Sequence, residues 1–313
     1  MLAVIFGLSG LIVGSFLNVV ILRFGERSTR RRRGFGGQVG GRSACPHCGT
    51  QLRALDMVPV LSWIVLRGRC RYCGARISIQ YPLVETATAL SFAAIGASSL
   101  PLISMLLALP IAALLICIFT YDLKYKLIPD IWVWIFCSLA LASAVFSFEF
   151  LVFSLLAGPI AALPILFLWY LSRPFTGRAG QWMGFGDVKL ALGLGWLLGF
   201  PLGFIAIFLA FIIGAVISVC ILLPLPTYIR WWQTAGALAH AAKLAFLRPV
   251  GGRGVRNVVD ERVLPTERPM SDHANFDARY TMKSEVPFGP FLIAAGTVVW
   301  FMIMYNVQIP LFL

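Results

Sequence analysis

Trp182-Met183-Gly184-Phe185-Gly186-Asp187-Val188-Lys189-Leu190 sets a carboxylate at the mouth of an apolar run, Val188 to Leu223, whose only charge is Lys189. The glycines on either side of Phe185 let the backbone turn, or approach another segment, without Cβ crowding. A carboxylate in or beside hydrocarbon costs roughly 2.5–3.5 kcal/mol on insertion scales, so such a residue marks a functional position. The competing account is local: Asp187 would N-cap the next helix, which aspartate does well. A second aspartate at a membrane edge, Asp122, weighs against that account.

The composition excludes an ordinary water-soluble domain, with 59% hydrophobic and 12% charged residues. Several apolar runs approach or exceed the ~20 residues that cross a bilayer core. The expected fold is an all-α polytopic membrane protein of about eight transmembrane helices with a small cytoplasmic four-cysteine zinc module. The spans are expected at 2–22, 83–99, 101–121, 131–147, 150–171, 188–199, 201–223 and 288–309. One helix across 188–223 would be about 54 Å long, too long for a ~30 Å core. The run is therefore divided at Gly199-Phe200-Pro201.

With alternating spans, the loops 23–82, 122–130, 172–187 and 224–287 hold 12, 2, 2 and 9 of the 26 Lys and Arg residues, and Lys189 is the last. The opposite side has none, and only Glu149 as an acid. By the positive-inside rule the basic loops are cytoplasmic and the N-terminus lies outside. The net charge of +13 is thus topological, suited to anionic lipid rather than to nucleic acid. The resulting divisions are a first transmembrane helix (1–22), a cytoplasmic zinc-binding module (23–82) and a membrane core (83–223). A cytoplasmic loop (224–287) and a last transmembrane helix (288–313) follow.

In the first span, Gly10 and Gly14 make a small-xxx-small face for close helix packing, and Asn18 is expected to hydrogen-bond between helices. Glu26 to Gly41 is rich in Arg and Gly and is expected to be flexible. Beyond it lie Cys45-Pro46-His47-Cys48-Gly49 and Cys70-Arg71-Tyr72-Cys73-Gly74, two C-x2-C pairs separated by 21 residues. Thiolates two apart on a turn both reach one tetrahedral ion, so Cys45, Cys48, Cys70 and Cys73 are the expected zinc ligands. Disulfides are the alternative, but a cytoplasmic loop keeps thiols reduced. Four sulfurs leave no open position, which makes the metal structural and His47 a bystander. Glu85 follows Tyr81-Pro82-Leu83-Val84 at the entry to span two, with a macrodipole contact as its simplest role. Asp130 follows Pro129 and suits the start of span four. The Ala-rich stretch Thr234–Leu247 is a candidate interfacial helix.

Two carboxylates on one side of a bundle, with no Ser-His, Cys-His or open metal site, suggest one chemistry. A close pair cannot both ionise easily, so one keeps its proton. The ionised member takes a proton from water, which attacks a peptide carbonyl, and the protonated member serves the oxygen and the leaving amine. An ion-coupled transporter with Asp122 and Asp187 as ion sites is one rival reading. An assembly protein whose zinc module recruits a partner is another.

Gly184-Phe185-Gly186-Asp187-Val188-Lys189-Leu190 resembles the GxGD signature of intramembrane aspartyl proteases, and the whole chain resembles a bacterial prepilin peptidase of the type IV leader peptidase family. The likeness runs from Gly14-Ser15-Phe16-Leu17-Asn18 through the cysteine module and Tyr81-Pro82-Leu83-Val84-Glu85. It continues through Asp122 with Ile128-Pro129-Asp130, and ends at Val286-Pro287-Phe288-Gly289-Pro290-Phe291. The resemblance implies Asp122 and Asp187 as the catalytic pair, with Gly184, Gly186, Lys189 and Asp130 as supporting residues. It implies removal of short basic leaders from type IV prepilins and type II secretion pseudopilins, after a glycine, on the cytoplasmic face of the bacterial inner membrane. Many members also methylate the new N-terminus with S-adenosylmethionine, and the cysteine loop is associated with that bifunctional type. Glu85 is a candidate for cofactor binding, and a peptidase without methyltransferase activity is the alternative. Two positions depart from the family pattern: Met57 stands where Asn is usual, and Gln80 where Arg is usual.

Overall fold

The computed structural model describes residues 1–33, 43–45, 47–147, 151–176, 184–222 and 287–306. Among these the chain is helical, with two isolated β-bridges in the cysteine module and no strand. The long helices are α1 (Leu2–Arg33), α3 (Gln80–Ala97), α4 (Leu102–Tyr125), α5 (Asp130–Ser147), α6 (Leu151–Thr176), α7 (Phe185–Leu198), α8 (Leu202–Ile217) and α9 (Gly289–Met304). A 3₁₀ turn at Ala54–Met57 and the short α2 (Leu61–Val65) belong to the module before α3.

Among the described residues four stretches are long and apolar enough to cross a membrane: Leu2–Gly25, Leu102–Tyr125, Val152–Leu171 and Leu202–Cys220. Asp130–Phe146 and Gly289–Met304 are shorter apolar helices. Their outer faces are apolar too, as at Leu8, Ile12 and Phe16 of α1 and Phe153, Leu163 and Phe167 of α6, all exposed. In water such faces would be a liability; against acyl chains they need no cover.

Small residues set the packing. A Cβ on Gly10 would come within 2.7 Å of Ala89 Cα, and one on Gly14 within 2.7 Å of Glu85 Cα. α1 and α3 thus lie antiparallel at backbone contact, as small-xxx-small faces allow. Asn18, fully buried, ties the pair by donating to the Tyr81 carbonyl at 3.1 Å. On the other side of the bundle α7 is the central helix. Its Gly193 meets Phe136 and Cys137 of α5, and its Gly195 meets Ala157 and Ala161 of α6.

Several details depart from expectation. α1 continues helically to Arg33, through part of the Glu26–Gly41 segment expected to be flexible; 34–42 lie outside the described residues. Arg is a good helix former, and a helix already nucleated in the apolar run propagates at little cost. α7 begins at Phe185 rather than 188, which brings Asp187 inside the helix. It ends at Gly199, with φ +72°, whose N–H bonds the Gly195 carbonyl at 2.9 Å, so 188–223 is not one helix. Loop 224–286, including Thr234–Leu247, lies outside the described residues.

The chain divides into two compact units, Met1–Phe211 with Pro287–Leu313, and Ile212–Val286.

Candidate active site

One end of the bundle gathers the last turn of α4 and the first turns of α5, α7 and α9. α4 stops at Lys126, which adopts the left-handed conformation (φ 52°) and donates its N–H to the Asp122 carbonyl at 2.8 Å. The reversal carries Ile128 and Pro129 back to start α5 at Asp130. α7 is capped by Gly184, in extended geometry, whose carbonyl accepts the Asp187 N–H at 3.1 Å. Asp187 is therefore the third residue of α7 and not its N-cap, so the local capping account does not hold.

Asp122 and Asp187 are 3% and 6% exposed, a degree of burial rare for a carboxylate. They meet at Gly289, the first residue of α9. A Cβ there would collide with Asp122 Oδ2 and would lie 3.3 Å from Asp187 Oδ1 and 3.1 Å from Ile128 Cδ1. Two carboxylates far apart in sequence thus face one small space that only a glycine leaves open. Asp122 Oδ2 is buried without a hydrogen-bond partner among the described residues. Such an atom lacks the bonds it had in water, and a substrate or water is its natural partner. Gly186 is tight but less so, its added Cβ being 3.2 Å from Ile128 Cβ, whereas one on Gly184 would make only ordinary contact with Asp187 Oδ2 at 3.8 Å.

The supporting residues divide. Lys189 donates to Asp130 Oδ1 at 2.7 Å, joining the starts of α5 and α7, and its ammonium lies 5.2 Å from the Phe185 ring centroid and 5.7 Å from that of Trp134. With its carboxylate 68% exposed, Asp130 has its charge in Lys189 and in solvent, not in the dyad. Beneath Asp122, Tyr121 is buried against Trp132 (5.1 Å) and Phe24 (6.0 Å), which closes the α1 side with rings.

A second cluster lies in the cysteine module. The four sulfurs of Cys45, Cys48, Cys70 and Cys73 are all within 4.8 Å of one another, and Cys45 and Cys73 Sγ are 3.9 Å apart. A tetrahedral ion with Zn–S near ~2.3 Å needs sulfurs about 3.8 Å apart, so the donor set fits zinc. The module is built as two matching turns. Cys45 N–H bonds the Thr50 carbonyl and Gly49 N–H the Cys45 carbonyl; Cys70 N–H bonds Ala75 and Gly74 N–H bonds Cys70. Gly49 (φ +70°) and Gly74 (φ +71°) have open space around them, so glycine is required there by conformation alone. The Thr50 hydroxyl and N–H hold the Cys48 thiol down at about 6, a thiolate-favouring site.

Glu85 is not at the helix start. It is buried in the second turn of α3, and its Oε2 accepts the Val60 N–H at 2.7 Å. Val60 is held at φ +59°, an uncommon conformation for a β-branched residue. That bond pins the cysteine module to the helical bundle, replacing the macrodipole role expected from sequence. Gly289 and Ile128 were not assigned roles by sequence reasoning; a glycine at a helix start beside a proline was the only signal.

Two family models match the chain in succession, the bacterial peptidase A24 N-terminal domain over residues 8–99 and the type IV leader peptidase family over residues 109–219. Among curated proteins, the chain is 36% identical over 211 residues to a prepilin leader peptidase/N-methyltransferase of Dickeya chrysanthemi, covering 61% of this chain and 73% of that one. It is 34% identical over 231 residues to the protein of that name in Pectobacterium carotovorum (68% and 81% covered). To that of Aeromonas hydrophila it is 35% identical over 243 residues (69% and 80%). No solved structure matches the chain significantly. The glycine-bounded carboxylate pair, the four-cysteine module and these relatives agree: the chain belongs to the bacterial prepilin peptidases of the type IV leader peptidase family.

Proposed function

We propose that this protein is an intramembrane aspartic endopeptidase that removes the leader from prepilins and pseudopilins, and then N-methylates the new N-terminus. The observation that carries the peptidase reading is the meeting of Asp122 and Asp187 at Gly289. Two buried carboxylates sharing one proton hold a water between a base and an acid. The ionised member takes a proton from the water as its oxygen bonds the scissile carbonyl carbon. The other donates to the carbonyl oxygen, and the proton taken from water goes to the departing amine as the C–N bond breaks. Ile128 and the Tyr121–Trp132 rings keep bulk water out, which strengthens each of these contacts. The transporter reading has less support: both aspartates lie at helix ends, away from any midplane.

The eight long helices among the described residues are read as eight spans, with the dyad and the cysteine module on the cytoplasmic face of the inner membrane and the N-terminus outside. S-adenosylmethionine, when bound, would supply the methyl group that the freed amine takes up. The role of this chain is to hold that donor beside a freed N-terminus.

The test is co-expression with a candidate prepilin, reading leader removal and N-terminal mass together. A shortened pilin heavier by one methyl group is expected. Shortening without the methyl group would make the protein a peptidase only, and an intact leader would remove the peptidase reading. In the same assay Asp130→Asn is expected to cost far less cleavage than either dyad variant, because Lys189 retains solvent and two rings as partners. A loss equal to that of Asp122→Asn would move the first catalytic aspartate to position 130.

The cysteine cluster is read as a structural zinc site. Purified protein is expected to carry about one zinc per chain, lost in Cys45→Ser or Cys70→Ser together with the fold of the module. Metal-free protein with Cys45 and Cys48 joined in a disulfide in native membranes would contradict this.

A further inference from the structure

A cavity of about 720 Å³ lies between the cysteine module and the α1–α3 pair, away from the dyad residues. Its size suits a ligand of nucleoside dimensions, since such sites span roughly 300–1,000 Å³. Its walls combine three chemistries: the carboxylate of Glu85, the guanidinium of Arg23, and the rings of Trp63 and Tyr81. Trp63 is held in place, its Nε1 donating to the Ile77 carbonyl at 3.3 Å and its ring lying 3.0 Å from the point a Cβ on Gly68 would occupy. Glu85 is 6% exposed and accepts from the Val60 N–H, which leaves acceptor capacity on its carboxyl group at the cavity wall. Asp56 also lines the cavity, but it is occupied by Arg71 at 2.7 Å and by Tyr72 at 3.0 Å.

We propose that this cavity is the S-adenosylmethionine site, with Glu85 facing the cationic part of the ligand, Arg23 its carboxylate, and Trp63 or Tyr81 the adenine ring. The assignment rests on the methyl-transfer reading above. S-adenosylmethionine carries a sulfonium, an ammonium, a carboxylate and a flat base, and this cavity presents a partner for each. A buried carboxylate and an aromatic face are the two groups that attract a cation most strongly out of bulk water. The position also makes sense of the architecture. Arg23 of the cavity wall is followed in α1 by Phe24, whose ring packs on that of Tyr121.

The test is equilibrium binding of radiolabelled S-adenosylmethionine to the full-length protein in detergent, with zinc content and thermal melting as checks of the fold. Glu85→Gln keeps an oxygen for the Val60 N–H and removes the charge. Ser62→Phe fills the cavity from α2, independently of Glu85. Each is expected to weaken binding tenfold or more while zinc content is unchanged. Unchanged affinity in both would overturn the site and leave the methyl-transfer reading standing elsewhere in the protein. Weakening in Ser62→Phe alone would overturn the assignment of Glu85. Absence of binding to the unsubstituted protein, on a batch that cleaves prepilin, would overturn both the site and the methyl-transfer reading.

Discussion

Gly289→Ala is expected to reduce leader cleavage by about a hundredfold or more, the order of loss that an ångström of misplacement causes in an active site. An added methyl group collides with Asp122 Oδ2 and crowds Asp187 Oδ1 and Ile128 together. Backbone and carboxylate cannot both stay, because Asp122 sits in a closed helical turn whose last bond runs from Lys126. The expected defect is in turnover more than in fold, since Gly289 begins its helix and gives up no interior packing. Gly184→Ala makes the contrast. It lies within the signature stretch, yet among the described residues its Cβ would make only ordinary contacts, with Asp187 Oδ2 at 3.8 Å and Gly186 N at 3.9 Å, and its backbone is extended. A much smaller loss is expected there. Initial rates on one prepilin substrate decide it: equal losses at the two glycines would mean that the signature acts through backbone freedom and not through space beside the dyad.

Asp122→Asn and Asp187→Asn are each expected to lower cleavage by at least about a thousandfold, since neither amide can take or give the proton its partner needs. Neither change removes volume, and an amide at a buried site costs less to desolvate than a carboxylate, so both variants should remain folded in the membrane. Loss of methylation on full-length prepilin follows from Asp187→Asn, because no amine is freed. Pre-cleaved pilin should restore methyl transfer by that variant if the donor is held at the Glu85 cavity. Failure there, with the unsubstituted protein active on the same substrate, would mean that one pocket serves both reactions.

The helices were legible because apolar runs of bilayer length have few other readings, and their breaks carry Gly and Pro. The cysteine turns were legible because two C-x2-C-Gly repeats leave little choice of geometry, and the sulfurs do converge. What escaped the sequence is tertiary. The start of α7 at Phe185 places Asp187 inside a helix, which a boundary drawn at the first unbroken apolar residue could not show. The pairing of Lys189 with Asp130 joins residues 59 apart, and Asp130 alone reads as the start of a helix. Glu85 looked like a helix-start residue; its bond to Val60 depends on a left-handed backbone that no valine announces. Gly289 had no visible role until Asp122 was seen against it.

The most direct test of the dyad is the cleavage rate of purified protein on one prepilin with Asp122→Asn, Asp187→Asn and the double substitution side by side. Groups that act as a unit are grossly non-additive. If the two carboxylates share one proton and one water, each single variant should be as inactive as the double variant. Substantial cleavage by either single variant, or losses that multiply in the double variant, would show that Asp122 and Asp187 do not form one catalytic pair.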